Sequence, residues 1–161
     1  MPRPCRCPSS RGRRVAGSSR LAFRPTSRSS ALARSCGGST TGAGPIRRYD
    51  WFQSLWRERR STWAQQVEKD QNAVVFLGDS ITQGWGGGLG AAFPGTKVAN
   101  RGISGDTTRG VLLRLEEDVL ALHPTAVVLL IGTNDLEEGA TPEVVAGNLK
   151  LILAALKRHD A

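Results

Sequence analysis

The sequence predicts an α/β protein built on a parallel sheet, and two observations carry that expectation. Short continuous apolar runs, residues 73–77 and 125–131, each end in a polar loop, as strands buried on both faces do. Stripes of apolar residues at helical spacing lie before, between and after these runs. Strand and helix alternating at this spacing place the sheet's crevice, and any site in it, at the carboxyl ends of the strands.

The elements follow in order from residue 49. Phe52, Leu55, Trp56, Trp63 and Val67 form a helical stripe over residues 49–68, with Arg57, Glu58, Arg59 and Arg60 between its members. At that spacing Trp51, Trp56 and Trp63 are expected to pack against the sheet and not to form a ligand-stacking platform. Ala73 to Leu77 reads as the first strand and runs into Gly78-Asp79-Ser80. A glycine-rich stretch, Gly84 to Gly95, precedes a second short strand at Lys97 to Asn100. Thr107 or Thr108 caps a helix whose apolar positions are Val111, Leu112, Leu115, Val119 and Leu122, with Arg114, Glu116, Glu117 and Asp118 facing water and Pro124 ending it. Thr125 to Ile131 is the third strand, followed by Gly132-Thr133-Asn134-Asp135. Thr141-Pro142-Glu143 opens the last helix, with its stripe at Val145, Leu149, Ile152 and Leu156.

Charge and cysteine usage remove several function classes. The formal charge of +8 suggests a nucleic-acid or membrane-surface partner, but residues 1–48 hold 11 arginines and no acidic residue. Residues 49–161 therefore carry 11 basic side chains against all 14 acidic ones, and this part is mildly acidic, which argues against nucleic acid. No apolar run approaches the roughly 20 residues that a membrane-spanning helix needs. Cys5, Cys7 and Cys36 are confined to the first 36 residues, so a disulfide-built core is excluded, and no metal or cofactor site is expected. Residues 1–45, rich in Arg, Ser, Pro and Gly, are expected to be a disordered leader to a domain at 46–161. Such a leader without acidic residues reads as a solvated tail, or residues translated from an upstream start, with a transit peptide as the alternative; localisation is open, cytoplasmic or organellar if the leader is a transit peptide.

Three loops converge at the strand ends and carry the candidate chemistry. Ser80 follows a buried strand and opens a helix, which points its hydroxyl into the crevice as a nucleophile. Its surroundings are not the GxSxG elbow, because residue 82 is Thr. The loop Asn100 to Asp106 has glycines whose amides can approach a bound group closely. Asn134 brings a side-chain amide able to donate to an oxyanion. A hydroxyl, a glycine amide and an asparagine amide together are the parts of an acyl-transfer site. Asp79 and Asp135 have no His or Cys nearby and are expected to hold loop amides. Gly84 to Gly90 lacks a following Walker lysine and reads as a mobile loop at a pocket rim.

Phe76 to Gly84 (FLGDSITQG), Asn100 to Thr108 (NRGISGDTT) and Ile131 to Asp135 (IGTND) resemble, in order and spacing, the first three signature blocks of the SGNH (GDSL) hydrolases. The resemblance spans about residues 50–161. It implies a flavodoxin-like three-layer sandwich around a parallel sheet, incomplete at the C-terminus, and a small single-domain esterase, lipase or acetylhydrolase acting on small-molecule esters. It also implies Ser80 as nucleophile, with its own amide, the Gly105 amide and the Asn134 side chain binding the oxyanion. The family's general base is the His of an Asp-x-x-His block that this sequence does not contain. His123 lies before a strand and His159 in the last helical turn, so neither is expected to serve. The chain is accordingly expected to be a poorly active fragment of such an enzyme; the alternative is a non-catalytic ligand-binding remnant of the same fold.

Overall fold

A computed structural model describes residues 41–161. Most of the expected leader, residues 1–40, lies outside the described residues. Residues 41–45 do not behave as a leader but pack on the domain. The Asn148 side chain donates to Ala43 O at 2.8 Å and accepts from Ala43 N–H at 3.0 Å, so it satisfies both backbone groups of Ala43 in a strap that bends at Gly42 and Gly44. Thr107 Oγ1 and Arg109 donate to the carbonyls of Pro45 and Gly44. The ordered body therefore starts earlier than residue 46.

The sheet is parallel, with strands β1 (Val74–Gly78), β2 (Val98–Gly102) and β3 (Ala126–Leu130) in the order β2-β1-β3. Val74 is in register with Val98 on one side and with Ala126 on the other, and Gly78 with Gly102 and Leu130. Helices α1 (Asp50–Ala64), α2 (Ser80–Gly84), α3 (Gly88–Ala92), α4 (Thr108–Asp118), α5 (Thr133–Glu137) and α6 (Pro142–Arg158) complete the body. One face of β1, carrying Val75 and Leu77, packs with Val111, Leu115, Ile152 and Leu156 of α4 and α6, all buried. Each such aliphatic side chain contributes about 1.5–3 kcal/mol by leaving water.

Several expectations need correction. Residues 88–92 are helical and not loop, and β2 runs on to Gly102, so that Arg101 is a strand residue 2% exposed. Arg114 and Asp118 do not face water; they are buried. Burial of Arg114 is tolerated because its Nε donates to Asp106 at 2.8 Å and its Nη2 to Arg101 O at 2.9 Å. α4 ends at Asp118, and Leu120–Leu122 form a separate 3-10 turn that closes on His123 in a left-handed conformation (φ 47°) ahead of Pro124. β3 is apolar but not buried on both faces, since Val128 and Leu130 are 47% and 49% exposed. They lie on the face opposite α4 and α6. Of the three tryptophans, Trp63 packs on the sheet through the Arg101 guanidinium of β2, 5.1 Å from its ring centre, whereas Trp51 is exposed and Trp56 packs in a cluster with Phe52, Trp63 and Ile103.

Candidate active site

Because the strands are parallel, the loops after β1, β2 and β3 leave the sheet at the same end. Ser80 is the first residue of α2 and is exposed. Asp79 caps this helix, its Oδ1 accepting from the Ile81 N–H at 3.0 Å. The end of β2 fixes where the helix sits: Asn100 Nδ2 donates to Thr82 O at 2.7 Å, and Gln83 Oε1 accepts from the Ser104 N–H at 2.7 Å. Gly102 is required there, since a Cβ on it would come within 2.3 Å of the Gln83 nitrogen.

Gly105 turns the second loop with φ +82°, a conformation that glycine adopts without strain. Arg47 and Trp51 cover it: a Cβ built on Gly105 would meet Trp51 Cη2 at 2.8 Å and Arg47 Nη1 at 3.1 Å. Arg47 is itself tied to Glu137 and Glu138 at the end of α5. Asp106, next in the chain, is fully buried. Burial pushes its carboxyl above its ordinary value, while the Arg114 guanidinium and the Thr107 N–H act against that rise.

Asn134, in α5, is buried and joins the other two loops. Its Nδ2 donates to Asp106 O at 2.8 Å and lies 3.4 Å from Asp79 Oδ2. The first contact is a good hydrogen bond and the second is at the limit of one. One amide thus touches the residue before Ser80 and the residue after Gly105. Asp135 turns away from the crevice, accepting from the Thr108 N–H at 2.8 Å and from the Thr108 hydroxyl. Asp79 and Asp135 hold backbone amides, as expected of them, but these lie in the first turns of α2 and α4 and not in loops.

Neither histidine joins these loops. His123 precedes β3, at the end of the sheet opposite Ser80, a strand length of roughly 16 Å away. His159 caps α6 beside Glu116 and Leu120, at that same far end. Among the described residues there is no group of His, Cys, Asp and Glu that holds a metal. Sequence reasoning missed Asn100, Gln83, Arg47 and Trp51. Asn100 and Gln83 lie inside the recognised blocks, so their polarity was a usable signal. The approach of Arg47 and Trp51 to Gly105 is a long-range contact that no local pattern encodes.

The architecture defines a parallel α/β protein whose polar crevice is assembled from three strand-end loops. The chain belongs to the GDSL-like lipase/acylhydrolase family, which matches residues 76–161. It is 38% identical to an acetylxylan esterase of Geobacillus stearothermophilus over 39% of each chain. It is 32% identical to the platelet-activating factor acetylhydrolase IB subunit alpha2 of Homo sapiens, covering 65% of this chain and 46% of that one. Among solved structures it resembles a GDSL-like lipase from Bacteroides thetaiotaomicron, with TM-score 0.54, 34% identity, and coverage of 66% of this chain and 53% of that one. The chain spans less than half the length of these two curated relatives.

Proposed function

We propose that the chain carries the nucleophile and the oxyanion donors of a serine ester hydrolase. Ser80 Oγ attacks the carbonyl carbon of a small-molecule ester, and its proton passes to a base. The oxyanion that forms accepts hydrogen bonds from the Ser80 and Gly105 N–H groups and from Asn134 Nδ2. Collapse of the tetrahedral intermediate expels the alcohol and leaves an acyl-serine, which water then cleaves. The observation that carries this reading is the single Asn134 amide linking the residues beside Ser80 and Gly105. Exposed Trp51, which lies against Gly105, and exposed Ile81, next to Ser80, offer apolar surface suited to an ester's hydrocarbon part.

A second reading, a ligand-binding protein without turnover, draws on the position of both histidines at the far end of the sheet. With no imidazole near Ser80, these 161 residues are expected to retain only the ~10³–10⁴ over water that an oxyanion hole and binding give. The discriminating experiment is labelling with a fluorophosphonate probe, compared between the chain and its Ser80→Ala variant. Stoichiometric labelling lost in Ser80→Ala supports the nucleophile. Equal labelling of both proteins rejects it. Binding of a short ester without any labelling favours the second reading.

A further inference from the structure

A cavity of about 480 Å³ lies along the free edge of β2, and none of Ser80, Gly105 or Asn134 lines it. Its walls are the C-terminal half of α1, the turn that follows, and the glycine-rich segment 86–90. Arg59, Lys69 and Arg101 bring three positive charges to it, and Asp70 is the single carboxylate in its lining. That carboxylate is already committed, accepting from Arg101 Nη2 at 2.8 Å. Arg59 and Lys69 have no carboxylate within ion-pair distance among the described residues.

Arg59 is also crowded by its own kind. The guanidinium carbons of Arg59, Arg101 and Arg114 lie 5.0, 5.1 and 5.5 Å from the centre of the Trp63 ring. Arg101 is neutralised by Asp70 and Arg114 by Asp106. Arg59 is stacked on the indole face with a buried Nε that finds no hydrogen-bond partner among the described residues. Burial first, and then repulsion from Arg114 and Arg101, push its proton affinity below the ordinary value. A cation in this state gains from an anion more than a fully solvated arginine does.

The opposite wall suits the same partner. Gly86 has φ +48°, and a Cβ on Gly86, Gly87, Gly88 or Gly90 would meet nothing within 4 Å, so bare backbone borders open space there. A guanidinium fork and an ammonium are complementary to a compact oxyanion with several acceptor oxygens, and the side-chain-free backbone, whose Gly86 and Gly88 N–H groups donate to Gln83 O and Trp85 O, contributes room for it. From this convergence of Arg59, Lys69 and the glycine segment on one cavity, we infer that the chain has an anion site separate from the ester crevice, and that it takes a phosphate group, free or as a phosphomonoester. The glycine segment follows directly on α2, so an occupied site restrains the chain immediately after the helix that carries Ser80.

The test is titration of the full chain with inorganic phosphate at constant ionic strength, read by calorimetry and by the thermal midpoint, with chloride and acetate as controls. Saturable binding of phosphate, with chloride and acetate inert, is expected. Arg59→Gln and the exposed Lys69→Gln are each expected to weaken it by about tenfold, while Arg59→Lys keeps part of the affinity. Glycerol phosphate binding like free phosphate identifies the phosphomonoester group as the recognised element, and binding of free phosphate alone restricts the site to the inorganic ion. Phosphate acting no differently from chloride, or binding unchanged in both Arg59→Gln and Lys69→Gln, overturns the assignment.

Discussion

Arg114 shows what a single buried charge does for this site. It is 0% exposed, pairs with Asp106, and donates to the carbonyls of Arg101 and Gly78, so one guanidinium ties together the ends of β1 and β2 and the loop that holds Gly105. Arg114→Met leaves the Asp106 carboxylate buried without its partner and is expected to cost about 3–5 kcal/mol in urea denaturation. Adding Asp106→Asn to that variant should recover part of the loss, because the orphaned charge is gone. Gly105→Ala forces a Cβ into a positive-φ position already filled by Trp51 and Arg47. The strain alone is expected to cost on the order of 1–3 kcal/mol, visible as a lower thermal midpoint. Asn134→Ala is expected to slow the reaction of Ser80 with the fluorophosphonate by roughly 10²–10³, the usual effect of one oxyanion donor.

Among the elements, α6 is anchored at two places. Asn148, 2% exposed, reaches from it to Ala43 on the strap and to the Thr108 hydroxyl at the start of α4, the latter at 2.8 Å. Asn148→Ala removes these bonds together, and a loss of about 1–3 kcal/mol is expected, with faster amide exchange at residues 41–45. At its N-terminus, Glu143 is held below its ordinary pKa by its own backbone N–H and by the Thr141 hydroxyl. A depressed folded-state value means that its contribution is present above the ordinary value and lost as pH falls through the depressed one. Glu143→Gln should therefore flatten the acid limb of a stability-against-pH curve by lowering its neutral end slightly, and leave stability below the depressed value nearly unchanged. These anchors also explain what could be read from sequence. Periodicity located α1, α4 and α6 because the 3.6-residue stripe is local, while the five-residue α3 and α5 are too short to show one, and the burial of Arg114 and the packing of residues 41–45 depend on partners far along the chain. Ser80, Gly105 and Asn134 stood out because each sits in a short block at a strand end. Their joining through the Asn134 amide became visible only in three dimensions.

Across the whole molecule, the sheet is asymmetric. Its inner face is covered by α4 and α6, and β3 presents Val128 and Leu130 half-exposed at an edge of the sheet. An apolar edge strand is prone to pair with another chain. Sedimentation should show concentration-dependent association of the chain, and Leu130→Lys should shift it toward the monomer without lowering the thermal midpoint by more than a few degrees. Equal association of both proteins would place the contact elsewhere. The register has a further consequence for how the chain reaches this state. Val74 pairs with Ala126, about fifty residues later, and with Val98, about twenty-four later, and no strand pairs with one joined to it by a tight turn. Each ladder closes a long loop before any of its hydrogen bonds repays the lost entropy. The central strand therefore pairs fully only once both of its neighbours have been synthesised and brought in, and the crevice that holds Ser80 is assembled with them.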